Sequence, residues 1–137
     1  MKNTIILVVF GLLFSTQITA QSDTNKEEKP VIKFEETVYN YGEIEVNSDG
    51  TCEFEFENTG EEPLLLTKVR AACGCTSPKW PKKPVKPGET ETIKVKYNTR
   101  IKGSFTKSVM VYSNAEDSPV KLTIKGKVLD KKENDNN

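Results

Sequence analysis

Thr51-Cys52-Glu53-Phe54-Glu55-Phe56-Glu57 decides how the rest of the chain is read. In an extended backbone, Cys52, Phe54 and Phe56 fall on one face, and Thr51, Glu53, Glu55 and Glu57 fall on the other. Thr92 to Asn98 repeats the pattern, with Ile93, Val95 and Tyr97 opposed to Lys94 and Lys96. Val120 to Val128 repeats it again, setting Leu122 and Ile124 against Lys121, Thr123, Lys125 and Lys127. Alternation with period two predicts strands buried on one face.

The segments between these runs are punctuated for turns. Asn58-Thr59-Gly60-Glu61-Glu62-Pro63 parts the acidic strand from Leu64-Leu65-Leu66. Pro87-Gly88 is a type II turn signal, since proline fixes one φ and glycine supplies the positive one. Gly103 and the stretch Asn114 to Pro119 break the later strands, and no run carries a helical stripe. Short strands divided by turns predict an all-β fold, an antiparallel sandwich of two sheets. If the acidic and basic strands pair, Glu53, Glu55 and Glu57 can form a cross-strand ladder with Lys94 and Lys96. The functional alternative for these charges is an electrostatic docking face.

The ends read differently. Lys2, an apolar run from Ile5 to Phe14 and a polar stretch ending at Ala20 have the layout of a secretory signal peptide, residues 1–20, cut before Gln21. The apolar run is too short for a span, which needs about 20 residues. Gln21 to Pro30 contains no apolar side chain and reads as a flexible leader, and Asp130 to Asn137 as a disordered polar tail. The domain is expected between Val31 and Leu129. Export would place its three cysteines where disulfides persist, in the periplasm or outside the cell.

Composition narrows the chemistry. The 137 residues include no histidine, which excludes a His-dependent triad, His-ligated zinc or haem, and an imidazole base. Twenty basic residues balance twenty acidic ones, so net charge gives no case for nucleic acid. No Gly-x-Ser-x-Gly, no phosphate-cradling glycine loop and no base beside a serine is present.

One segment carries potential chemistry, Ala71-Ala72-Cys73-Gly74-Cys75-Thr76. Residues two apart in a strand lie nearly 7 Å apart, so a Cys73–Cys75 disulfide requires the chain to bend at Gly74. A bond of that kind would be a redox candidate. Cys52, on the apolar face, could instead bridge either cysteine and close a loop of roughly 20 residues, or remain a buried thiol. Copper(I) is a further candidate, held by Cys73 and Cys75 with Met110 or Cys52. Trp80, between Pro78 and Pro81, either packs on the core or anchors a partner.

Phe56-x-Asn58-Thr59-Gly60-x-x-Pro63-Leu64, Val69 to Cys73-Gly74-Cys75-Thr76, Pro87-Gly88-Glu89 and Gly126-Lys127-Val128 together resemble the bacterial DUF1573 family, a domain of unknown function. Tyr41-Gly42-Glu43-Ile44 looks like its early aromatic-glycine motif. Cys73, Gly74 and Cys75 match the family's Cys-Gly-Cys, whereas Cys52 has no counterpart. The resemblance implies an immunoglobulin-like sandwich of about seven strands, similar to interaction modules of the ASH, MSP and Hydin type, in the envelope of a Gram-negative bacterium such as one of the Bacteroidetes. The expected function is a non-enzymatic binding or assembly module with a protein partner in the envelope, acting through a sheet edge or the loops from Cys73 to Pro84. Thiol redox or copper handling at Cys73 and Cys75 is the alternative. A pilus-chaperone-like helper is a third reading, by fold analogy alone.

Overall fold

A computed structural model describes residues 28–131. The signal segment 1–20, leader residues 21–27 and tail residues 132–137 lie outside the described residues. The strands are β1 (Ile32–Phe34), β2 (Val38–Glu45), β3 (Thr51–Asn58), β4 (Leu66–Ala71), β5 (Thr76–Lys79), β6 (Thr90–Tyr97), β7 (Gly103–Ser113) and β8 (Val120–Leu129). They form two four-stranded sheets, ordered β1-β3-β6-β5 and β2-β8-β7-β4. The all-β sandwich is thus present, with eight strands rather than about seven.

The alternating runs do what their pattern requires. Along β3, Cys52, Phe54, Phe56 and Asn58 are buried and the residues between them are exposed. β6 pairs with β3 antiparallel, setting Cys52 beside Val95 and Phe54 beside Ile93. The opposite sheet contributes Val109, Val111, Leu122, Ile124 and Val128, all at most 2 % exposed. Each such side chain contributes about 1.5–3 kcal/mol by leaving water. Tyr97 and Phe105 stack across the sandwich, their ring centroids 3.8 Å apart. Gly126 occupies an inward position of β8 where a Cβ would come within 2.9 Å of Tyr41 Cβ and 3.1 Å of Phe105. The aromatic rings fill the space that glycine leaves.

Two details depart from the expected pattern. The sandwich is antiparallel except at β2, which runs parallel to β8 with a register shift between Asn40 and Glu43. The chain reaches β2 by switching sheets after β1 through only three residues, which fixes its direction. The charge ladder is reduced to one rung: Glu53 meets Lys94 at 3.0 Å, while Glu55 and Glu57 face Thr92 and Thr90. That exposed pair is worth at most about 1 kcal/mol.

The turn chemistry follows the sequence. Gly88 has φ +77°, and the Glu89 N–H donates to the Lys86 carbonyl at 3.0 Å, closing the Pro87-Gly88 turn. Ordered chain precedes β1 as well, since Pro30 is buried and lies against Gly60.

Candidate functional site

The first candidate is a gap beside β3. Alternate backbone groups of an antiparallel strand face opposite neighbours. The bonds from Tyr97 N–H to the Gly50 carbonyl and from Asn58 N–H to the Glu89 carbonyl show that the even-numbered residues of β3 face β6. Odd-numbered residues face β1, which is only three residues long. Its extension ends where the Glu35 N–H donates to the Glu55 carbonyl, and the Thr51 N–H is capped by Asp49 at 3.0 Å. Between these points the Glu53 main chain has no hydrogen-bond partner among the described residues. Asp49 is held below the usual carboxylate range by the side-chain and backbone hydrogen bonds of Thr51, which keeps that cap charged.

A cavity of about 330 Å³ opens beside this gap, lined by Val38, Tyr39 and Phe54 with Glu35, Glu36, Glu53, Glu55 and Thr92. Val38 is 45 % exposed and Tyr39 36 %. Tyr39 leans edge-on against Phe54 and against Tyr41, at centroid distances of 6.5 and 4.8 Å. The site therefore combines an open backbone edge, apolar side chains and four carboxylates. Sequence reading missed Glu35, Glu36, Val38 and Tyr39, because β2 carries no clean alternation. The available signal was the apolar pair Val38-Tyr39 just beyond Glu35-Glu36-Thr37.

The second candidate is the turn joining β4 to β5, which crosses from one sheet to the other. The Ala72 N–H donates to the Ser108 carbonyl at 2.9 Å, the Thr76 N–H to the Cys73 carbonyl at 3.4 Å, and the Asn98 N–H to the Cys75 carbonyl at 2.8 Å. This bends the chain at Gly74 and brings the Cys73 and Cys75 Cα atoms to 5.3 Å, where the two sulfurs are bonded. Both sulfurs lie 3.8 Å from Thr76 Oγ1. A polar cavity of about 460 Å³ lies against Cys75, with Gly74, Ser77, Lys96, Asn98 and Arg100 in its wall. Lys96 and Arg100 reach the site from β6 and the turn after it, a convergence that sequence spacing does not reveal.

Of the pairings left open by the sequence, the structure joins Cys73 to Cys75 and leaves Cys52 a buried free thiol. Strand β6 stands between the strand of Cys52 and β5. Burial raises the Cys52 thiol above its usual range, so it is poorly suited to act as a thiolate. Burial, and then the neighbouring Cys52, raise the Tyr41 phenol, whose O–H donates to the Gly50 carbonyl at 2.6 Å. Met110 pairs with Arg70 on β7 and alternates with the buried Val109 and Val111, so it faces outward from the sandwich. The structure thus brings neither proposed copper ligand to Cys73 and Cys75. No group of three Cys, Asp or Glu side chains suited to a metal occurs among the described residues.

Trp80 is half-buried and packs against the core beside β5. The Lys82 ammonium lies 3.0 Å above its ring centroid, a cation–π contact. Its indole Nε1 is buried with no acceptor among the described residues. Trp80 thus makes contact both with the core and with Lys82.

Comparison with solved structures places this architecture. The chain is similar to a protein of unknown function from Porphyromonas gingivalis W83, at 15 % identity and TM-score 0.66, covering 73 % of this chain and 47 % of that one. It spans about half the length of that protein. It is also similar to the ASH / PapD-like domain 7 of human CEP192, at 8 % identity and TM-score 0.65, covering 80 % and 93 % of the two chains. A third likeness is to the CsuC–CsuE chaperone–tip adhesion subunit pre-assembly complex of Acinetobacter baumannii, at 12 % identity and TM-score 0.50, covering 73 % and 57 %. At these identities the shared property is the fold, an immunoglobulin-like sandwich. No curated protein matches the chain. Among the described residues no helix is long and apolar enough to cross a membrane. The profile of a protein of unknown function, DUF1573, matches residues 32–128, and the chain belongs to that family.

Proposed function

We propose that the chain is an exported, non-catalytic binding module of the cell envelope, which captures an extended segment of a partner protein along the open stretch of β3. The observation that carries this reading is the unpartnered Glu53 main chain beside Val38 and Tyr39, inside a rim of four glutamates. An added strand gains backbone hydrogen bonds at the edge and takes its specificity from alternate side chains. Each bond contributes about 1 kcal/mol net, and covering Val38 and Tyr39 adds apolar burial. The carboxylates call for a segment that alternates apolar with basic residues.

The other edges fit less well. Along β5 the outward positions are Thr76, whose N–H is used in the cysteine turn, and Pro78, which has none. β2 is interrupted at Gly42, whose N–H is taken by Asn40 Oδ1 at 3.0 Å. β4 leaves Val69 and Ala71 main-chain groups open, but its flanking Lys68 and Arg70 offer charge without exposed apolar surface.

The test is a titration of the protein with short extended peptides alternating valine with lysine, and with counterparts carrying glutamate instead of lysine. The basic peptides are expected to bind, more weakly as salt rises, and the acidic ones not to bind. Glu35→Gln with Glu36→Gln should weaken binding without changing thermal stability. Equal binding of both peptide classes, or binding indifferent to the two glutamates, would refute the reading.

A further inference from the structure

We propose that the Cys73–Cys75 disulfide is a thiol–disulfide exchange site, attacked at Cys75 and selective for thiols that carry negative charge. This inference is independent of strand addition at β3, because the two sites lie on opposite edges of the sheet.

Access and charge decide which sulfur reacts. The cavity at the turn is walled by Cys75 and Gly74, and Cys73 is not part of its wall. Both cysteines are half-buried, and the cavity gives an incoming thiolate its route to Cys75. Lys96 and Arg100 line the same cavity, and no carboxylate does. Their field attracts an anionic thiol and stabilises the attacking sulfur. Gly74 has no heavy atom within 4 Å of the position a Cβ would occupy, so the approach to the turn is clear.

The exchange is balanced in two steps. A client thiolate attacks Cys75 Sγ, forming a client–Cys75 disulfide as the Cys73–Cys75 bond breaks. The electron pair of that bond goes to Cys73, whose thiolate faces the Thr76 hydroxyl at 3.8 Å. A second client thiolate then attacks the client sulfur and releases Cys75 as thiolate. Two client thiols are oxidised to one disulfide, and their two protons end on Cys73 and Cys75. A small-molecule disulfide such as oxidised glutathione drives the reverse sequence. Thr76 is buried, with its hydroxyl 3.8 Å from both sulfurs.

The experiment uses the whole exported protein with Cys52→Ala, which leaves only the two cysteines of the turn. Native protein is treated with millimolar reduced glutathione, neutral 2-mercaptoethanol or cationic cysteamine, quenched with acid and mapped by mass. Rates are corrected for the thiolate fraction of each reagent. The expected result is reduction without unfolding, a transient glutathione adduct on Cys75, and a rate preference for glutathione over cysteamine of about tenfold. Lys96→Gln with Arg100→Gln should remove that preference, slowing glutathione most and mercaptoethanol, whose attacking thiolate carries a single negative charge, less. A disulfide that resists every reagent until the protein is denatured would overturn the proposal. So would an adduct confined to Cys73, or equal corrected rates for the three thiols.

Discussion

The side-chain amide of Asn58 donates to the main-chain carbonyl of Val85, 27 residues further along the chain, at 2.9 Å. The same amide donates to the Glu62 carbonyl at 2.8 Å, and Asn58 Oδ1 accepts the Gly60 N–H at 3.1 Å. Its own main chain bonds Glu89 and Gly88. This fully buried side chain thus ties the end of β3 to the segment before β6. Asn58→Ala strips the Glu62 carbonyl and the Gly60 N–H of their partners, while the Val85 carbonyl keeps the Leu64 N–H, and is expected to cost about 2–4 kcal/mol, since each group left unpaired costs roughly 1–3. Asn58→Asp should cost more at neutral pH, because a carboxylate would face those carbonyls. Urea unfolding of the variants measures both.

Two glycines separate packing from tolerance. At Gly60 an added Cβ would lie 2.6 Å from the Val31 nitrogen and 2.8 Å from the Lys29 carbonyl oxygen. Backbone must move to admit it, so Gly60→Ala should lose about 1–3 kcal/mol. At Gly74 a Cβ meets nothing within 4 Å. Gly74→Ala should stay within about 0.5 kcal/mol of wild type, a contrast readable in paired thermal melts.

The Cys73–Cys75 bond closes a very short loop, and the chain-entropy model gives such a loop about 1.5 kcal/mol. Replacing both cysteines by serine should therefore lower the melting temperature by several degrees and leave the circular dichroism spectrum unchanged. Complete unfolding of that variant would mean that the turn depends on its disulfide.

Alkaline pH should destabilise the fold through Cys52 and Tyr41. Both groups are raised in the folded state, chiefly by burial, so the folded protein holds these protons more tightly than the unfolded chain. Their contribution is complete below the unfolded values of about 8.5 for cysteine and 10 for tyrosine. It is lost as pH rises above those values toward the folded ones. Melting temperature should be flat near neutrality and fall from about pH 9 upward. Cys52→Ala should shift the onset of the fall toward the tyrosine range.

Alternation made β3, β6 and β8 legible, because a buried face and a wet face are written directly into residue order. The Pro87-Gly88 turn was legible for the same local reason. The parallel pairing of β2 was not, since it follows from where the chain changes sheets and not from the composition of Val38–Glu45. The charge ladder shrank because register, which no single strand specifies, set threonines opposite Glu55 and Glu57. The gap at Glu53 was invisible for a related reason: it exists only because β1 stops short of its neighbour. The bend at Gly74 was permitted by the sequence, but its closure depends on bonds to Ser108 in β7 and from Asn98 just after β6, segments brought together by the fold.

Strand capture at β3 is most directly tested by residue-resolved hydrogen exchange, with and without a bound peptide alternating valine and lysine. The account predicts that the Glu53 amide exchanges quickly in the free protein and slows by at least an order of magnitude on binding, one decade being about 1.4 kcal/mol. The amides of Val69 and Ala71 on the β4 edge should not change. Protection at Val69 and Ala71 with none at Glu53 would contradict the account and move the binding edge to the other side of the sandwich.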